Sequence, residues 1–124
     1  EDAGGEAQKE LALIALKFRD DPQRALAYCE ASLALAPDAA TWNTSGVALR
    51  ALGRFGAAEA AYGRALALES GSTDTWFNLG NLYRELGQFS EALAAYRKTA
   101  ELGGDSPLAA QAAIKINELS TIIY

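Results

Sequence analysis

The sequence has no histidine, no methionine, one cysteine and three prolines in 124 residues. Without histidine, the commonest general base and metal ligand is missing. The lone Cys29 allows no intramolecular disulfide, which fits a reducing, cytoplasmic compartment. On the apolar stripe of a helix, and with no histidine to activate it, Cys29 reads as an inert structural thiol. The lack of methionine leaves no start residue, as expected of a processed form or an excised piece. Valine and isoleucine are few and never alternate over a useful length, so strands are not expected. No run is long and apolar enough to insert in a membrane, and the first residues do not read as a signal peptide.

Half of the residues are apolar and alanine dominates, which predicts one small all-α domain with a core. Sixteen acids against 11 bases give a net charge of −5. The bases are scattered, with Arg97-Lys98 the longest run, so no nucleic acid is expected as a partner.

Two stretches, from Thr41 and from Thr75, match at an offset of 34 residues. Trp42 meets Trp76, Gly46 meets Gly80, and Arg50 meets Arg84. Gly53 meets Gly87, Phe55 meets Phe89, Ala58 meets Ala92, and Tyr62 meets Tyr96. Each unit reads as two helices, the first closed by Gly53 or Gly87 as a left-handed cap. A glycine inside a helix costs about 0.5–1 kcal/mol relative to alanine. Gly46 and Gly80 are therefore expected where two backbones come close, facing Ala58 and Ala92.

This pattern resembles the tetratricopeptide repeat family, whose signature is Trp, Leu, Gly, Tyr and then Ala, aromatic, Ala. The later unit supplies Trp76, Leu79, Gly80, Tyr83, Ala92 and Tyr96, and departs at Thr99. The earlier one supplies Trp42, Gly46, Ala58, Tyr62 and Ala65, and departs at Ser45 and Leu49. The resemblance implies a right-handed α-solenoid of three helix–turn–helix units plus a C-terminal capping helix. Over a single domain, 1–124, it implies a degenerate repeat at 5–38, repeats at 39–72 and 73–106, and a cap at 107–121.

The ends are less regular. Pro22–Pro37 reads as the second helix of the degenerate repeat, capped by Asp21, with Ala25, Cys29, Leu33 and Leu35 on one stripe. Before it, a helix with Leu13, Leu16 and Phe18 apolar is expected, and residues 1–4 are expected to fray. Gly103-Gly104 and Asp105-Ser106-Pro107 predict a stop and a new start, followed by a helix from Leu108 to about Ser120. The apolar end Ile122–Tyr124 is expected to fold back on the cap, meet another copy, or continue into a longer protein.

Little chemistry is present, and neither an enzyme nor a cofactor is expected. Glu59, Glu69, Glu91 and Glu101 are scattered over predicted exposed surface. The sequon Asn43-Thr44-Ser45 lies inside a helix. Trp42, Trp76, Phe55, Phe89, Tyr62 and Tyr96 follow the repeat spacing and read as core rather than a ligand cage.

In the resembled family the first helices of successive repeats line a concave groove for a peptide or partner helix. The positions here that fall on that face are Asn43, Thr44, Val47 and Arg50, then Asp74, Phe77, Asn78, Asn81 and Arg84, with Gln111 and Lys115 on the last helix. Asparagine pairs with a peptide unit without reading its side chain. Phe77 and Val47 would form a small apolar pocket, and the arginines would take a carboxylate. Co-chaperones of the family use a cluster of Lys, Arg and Asn to hold a C-terminal carboxylate. Thr44, Asp74 and Asn78 stand at the matching positions, and Asp74 would repel it. The expected function is a non-enzymatic module or scaffold that binds a protein or peptide segment. The alternatives are a self-assembling homo-oligomer and a recruiting region of a larger regulatory protein or enzyme.

Overall fold

Short polar side chains decide where most of the helices begin. The computed structural model describes residues 5–17 and 20–123. Seven helices follow one another: α1 Glu6–Lys17, α2 Pro22–Leu35, α3 Ala39–Ala51, α4 Phe55–Leu68, α5 Thr73–Glu85, α6 Phe89–Gly103 and α7 Pro107–Ile123. Asp21 accepts from the Arg24 backbone N–H at 3.1 Å, and Asp38 from that of Thr41 at 2.7 Å. Ser72 accepts from the Thr75 N–H at 3.3 Å, and Ser106 from that of Ala109 at 3.2 Å. Each such cap supports its helix by about 1 kcal/mol.

α4 and α6 have no side-chain cap, because they start directly after a glycine turn. Gly53 and Gly87 have φ of 78° and 77°. The N–H of Gly53 bonds to the Arg50 carbonyl and that of Arg54 to the Leu49 carbonyl; Gly87 and Gln88 repeat this with Arg84 and Tyr83. Both turns are Schellman caps, which need a residue at positive φ. The predicted helix ends at Gly53 and Gly87 are correct.

The described residues fall into two compact units, one within Glu1–Ser70 and carrying α1–α4, the other within Gly71–Tyr124 and carrying α5–α7. In the first, α1 packs on α2, α2 on α3 and α3 on α4, and α1 also touches α3. In the second, α5 packs on α6 and α6 on α7, and α5 also touches α7.

Small residues line the helix contacts. Ala58, Ala61 and Ala65 on α4, and Ala92 and Ala95 on α6, are buried as predicted, and Tyr62 and Tyr96 are fully buried. The nearest neighbour of Gly46 and of Gly80 is a tyrosine ring. A Cβ on Gly80 would sit 2.7 Å from the Tyr96 ring, and one on Gly46 would sit closer still to Tyr62. The nearest groups that these glycines make room for are the tyrosine rings.

Two apolar stripes also need correction. On α1 the inward residues are Ala12 and Ala15, whereas Leu13 is 41% exposed and Leu16 is half-buried. The expected Phe18 lies outside the described residues. On α2 the buried residues are Ala25, Leu26, Cys29 and Ser32, while Leu33 is half-buried and Leu35 is 56% exposed. At 3.6 residues per turn, Ser32 returns to the face of Cys29 and Leu35 does not. Small residues inside this pair let the backbones approach, and the Ser32 hydroxyl donates to the Gly5 carbonyl at 3.2 Å.

The last helix runs beyond the predicted end, through Ile123, with Ile122 61% exposed. Ile122 therefore does not fold back on the cap. Tyr124 and residues 1–4 lie outside the described residues.

Candidate functional site

The first helix of each clear repeat presents one face to its own second helix and leaves another face outward. Within the first unit, Asn43, Thr44, Val47 and Arg50 are all half-buried on α3. The Thr44 hydroxyl donates to the Ala40 carbonyl at 3.0 Å, so it serves its own helix. Thr44 also lines a recess of about 90 Å³ with Lys9, Ala12 and Ala40.

Lys9 is a residue that sequence reasoning missed. Its ammonium pairs with Asp38 and with Glu6, the latter at 3.0 Å, and these bonds hold its pKa above the usual range. Burial pushes the Asp38 carboxyl up, but hydrogen bonds from Lys9 and from Thr41 outweigh it and leave the pKa below the usual value. The signal was available: one repeat length before Asn43 lies Lys9. The first repeat lacks the Trp and Gly that would have fixed its register.

Within the second unit the candidates divide. Asp74 is exposed in the first turn of α5. Phe77 packs against Tyr96, with ring centroids 5.6 Å apart and planes tilted by 58°, so it belongs partly to the core. Asn81 accepts from the Tyr96 hydroxyl at 2.5 Å, which commits its carbonyl oxygen and leaves its amide N–H groups as donors. Asn78, one turn before Asn81, is half-buried on the same helix.

Arg84 and Lys115 come together around one carboxylate. Glu118 on α7 lies 3.9 Å from the Arg84 guanidinium and 3.7 Å from the Lys115 ammonium. Glu118 was not foreseen, because its proximity to Arg84 depends on α5 touching α7. Gln111 is exposed one turn before Lys115. Val47 and Phe77 belong to different compact units.

Glu59, Glu69, Glu91 and Glu101 are exposed, as predicted. Trp42, Trp76, Phe55 and Phe89 are half-buried rather than enclosed. Cys29 is fully buried, and burial, reinforced by Glu30 and Asp38, pushes its pKa up to about 12. A thiol held this way stays protonated at neutral pH and is a poor nucleophile. Among the described residues no group of three His, Cys, Asp or Glu could hold a metal, and no helix is long and apolar enough to cross a membrane.

Comparison with known proteins agrees with this architecture. A sequence profile described as tetratricopeptide repeat matches residues 43–107. No curated protein sequence matches the chain. Among solved structures, the first TPR of Spaghetti (RPAP3), bound to the HSP90 peptide SRMEEVD, is similar with a TM-score of 0.87. It is 18% identical, over 99% of this chain and 95% of that one. The Yersinia enterocolitica type III secretion chaperone SycD, in complex with a peptide of the translocator YopD, gives a TM-score of 0.87 at 16% identity, over 96% and 94% of the two chains. SycD in an alternative dimer gives 0.88 at 16% identity, over 94% and 92%.

The chain belongs to the tetratricopeptide repeat family, with three helix pairs and a capping helix. It is accordingly a protein–protein interaction module of that family.

Proposed function

We propose that the chain binds an extended peptide segment of a partner protein on the outward faces of its first helices, as one domain over 1–124 with repeats at 5–38, 39–72 and 73–106 and a cap at 107–121. In the first unit the residues proposed to contact a peptide are Asn43, Thr44, Val47 and Arg50. In the second they are Asp74, Phe77, Asn78, Asn81, Arg84, Gln111 and Lys115. The observation that supports this most is that Arg84 and Lys115 share one carboxylate, Glu118, on the helices of the second unit. A peptide carboxylate would replace Glu118 between the two cations while asparagine amides hold its backbone. The peptide complexes of the Spaghetti and SycD structures support the same mode of use. A single buried cysteine fits a cytoplasmic setting.

The test is a pull-down from the source lysate with the wild type and the Asn78→Ala/Arg84→Glu double variant. A partner retained by the first and lost by the second is the expected result. Equal capture by both would remove the site from this face.

A second reading, self-association through α7, is favoured by Ile114 and Ile122, which are 57% and 61% exposed on that helix, and by the SycD dimer. Sedimentation at high concentration separates the readings: a strict monomer excludes this one.

A further inference from the structure

A cleft of about 430 Å³ opens on the other side of α3, between α2, α3 and α4. Its apolar wall includes Leu33, Trp42 and Leu49, and the exposed Ala57 and Ala60 give it a shallow, open flank. Trp42 and Leu49 lie roughly 80–160° around α3 from Asn43, Val47 and Arg50, so the cleft is lined by a different face from the surface proposed above. Two guanidinium groups border the cleft, from Arg54 and Arg64, against one carboxylate, Glu30. Arg64 lies 5.2 Å from the centre of the Trp42 ring. Stacking of this kind holds a guanidinium in place while leaving its N–H edge open to a carboxylate. Neither arginine forms an ion pair among the described residues.

The repeat supplies a natural control. A second cleft, of about 450 Å³, lies between α5 and α6 and is built from equivalent positions one repeat later. Trp76 replaces Trp42, and Ala94 replaces Ala60. The charges differ. Lys98 stands for Arg64, Glu91 for Ala57 and Gln88 for Arg54. The first cleft therefore has an excess of positive charge in a chain of net charge −5, and the second carries its own carboxylate.

We infer that the α2–α3–α4 cleft is a second peptide site, which takes a bulky apolar side chain beside an aspartate or glutamate. The apolar residue lies against Trp42, Leu33 and Leu49. The neighbouring carboxylate is held by Arg64, stacked on Trp42, and by Arg54. The cleft is in the size range of ordinary ligand sites and open enough for a chain to pass along it. The α5–α6 cleft does not take such a peptide, because Glu91 balances its single cation, Lys98, and leaves no excess positive charge to hold the carboxylate.

The test is selection of peptides from a random displayed library on the full chain. The best binder is then titrated by fluorescence anisotropy against variants whose folding is checked by thermal melts. The selected peptides should share an acidic residue next to a large apolar one. Arg64→Glu and Arg54→Glu, both at exposed positions, should each weaken binding about tenfold or more. Arg64→Lys, which keeps the charge but loses the planar fork, should cost less. Lys98→Glu and Asn78→Ala/Arg84→Glu should leave the affinity within about twofold, and added salt should weaken it. Selection of peptides without acidic residues, or none at all, overturns the proposal. So does binding lost in Asn78→Ala/Arg84→Glu but kept in Arg64→Glu, an outcome that leaves the function proposed above standing.

Discussion

The helix pairs α3–α4 and α5–α6 are two versions of one plan. Their glycine turns make the same pair of hydrogen bonds, at φ within one degree of each other. Each has a helical glycine under a buried tyrosine ring and a cleft beside a half-buried tryptophan. They differ at other positions, several of them outward. The cap of α3 is Asp38 and that of α5 is Ser72. Val47 stands where the later repeat has Asn81, the acceptor for its tyrosine hydroxyl. Arg54, Ala57 and Arg64 stand where it has Gln88, Glu91 and Lys98. The glycine turns, the helical glycines and the tyrosines they accommodate are kept, whereas other positions vary, some buried (Ala48 and Leu82, Ala65 and Thr99) and several outward, and recognition would reside in the outward ones.

The largest effect should come from breaking the shared element. Gly46→Ala and Gly80→Ala each place a methyl group inside a tyrosine ring, and overpacking of this kind costs about 1–3 kcal/mol. Better helix propensity returns up to about 1 kcal/mol. Urea unfolding should show net destabilisation in both, and more for Gly46, where the approach is tighter.

Next comes the bond that only the later repeat shows. Asn81→Val takes the acceptor from a buried hydroxyl, at a cost of about 1–2 kcal/mol. A double-mutant cycle with Tyr96→Phe should return a coupling near 1 kcal/mol. Additive losses would mean that the two side chains act separately.

The caps differ in their response to pH. The pKa of Asp38 is depressed, so its contribution is present above the ordinary carboxylate pKa and is lost as pH falls through the lower folded value. Lys9 has a raised pKa, so its contribution is full below the ordinary lysine value and fades as pH rises through the folded one. Asp38→Asn keeps a good cap and removes the charge. Denaturation midpoints measured from neutral pH to below about pH 4 should fall less steeply in the variant than in the wild type. Ser72, which does not titrate, contributes nothing comparable.

The smallest effect should be that of Glu118→Gln. Its ion pairs with Arg84 and Lys115 are long and exposed, so stability should change by no more than about 0.5 kcal/mol. Affinity for an acidic peptide on that face should nonetheless rise, because the internal competitor is gone. Unchanged affinity would separate Arg84 from peptide binding.

Much of this was legible in the residues themselves. The 34-residue offset, the glycine caps, the Asp21 and Ser106 starts and the alanine stripes of α4 and α6 are all local signals, set by backbone dihedrals and helical periodicity. What was misjudged depends on a neighbour distant in sequence. Apolar character alone places Leu35 on the stripe of α2, whereas in the structure Ser32 faces inward and bonds to Gly5. Asn81 and Phe77 were assigned to a peptide face alone, yet both engage Tyr96. Glu118 was overlooked because nothing along the chain links α7 to α5.

The sequence by itself thus determined the number of repeats, the ends of their helices and the membership of the family, since each follows from the conformational limits of a few residues in order. The tertiary structure decided which side chains are left to bind. Whether Asn81 holds Tyr96, whether Arg84 meets Glu118, and whether Arg64 covers Trp42 depend on distances of a few ångströms between helices. Those distances are set by the small residues and rings packed between the helices, and no local pattern records them.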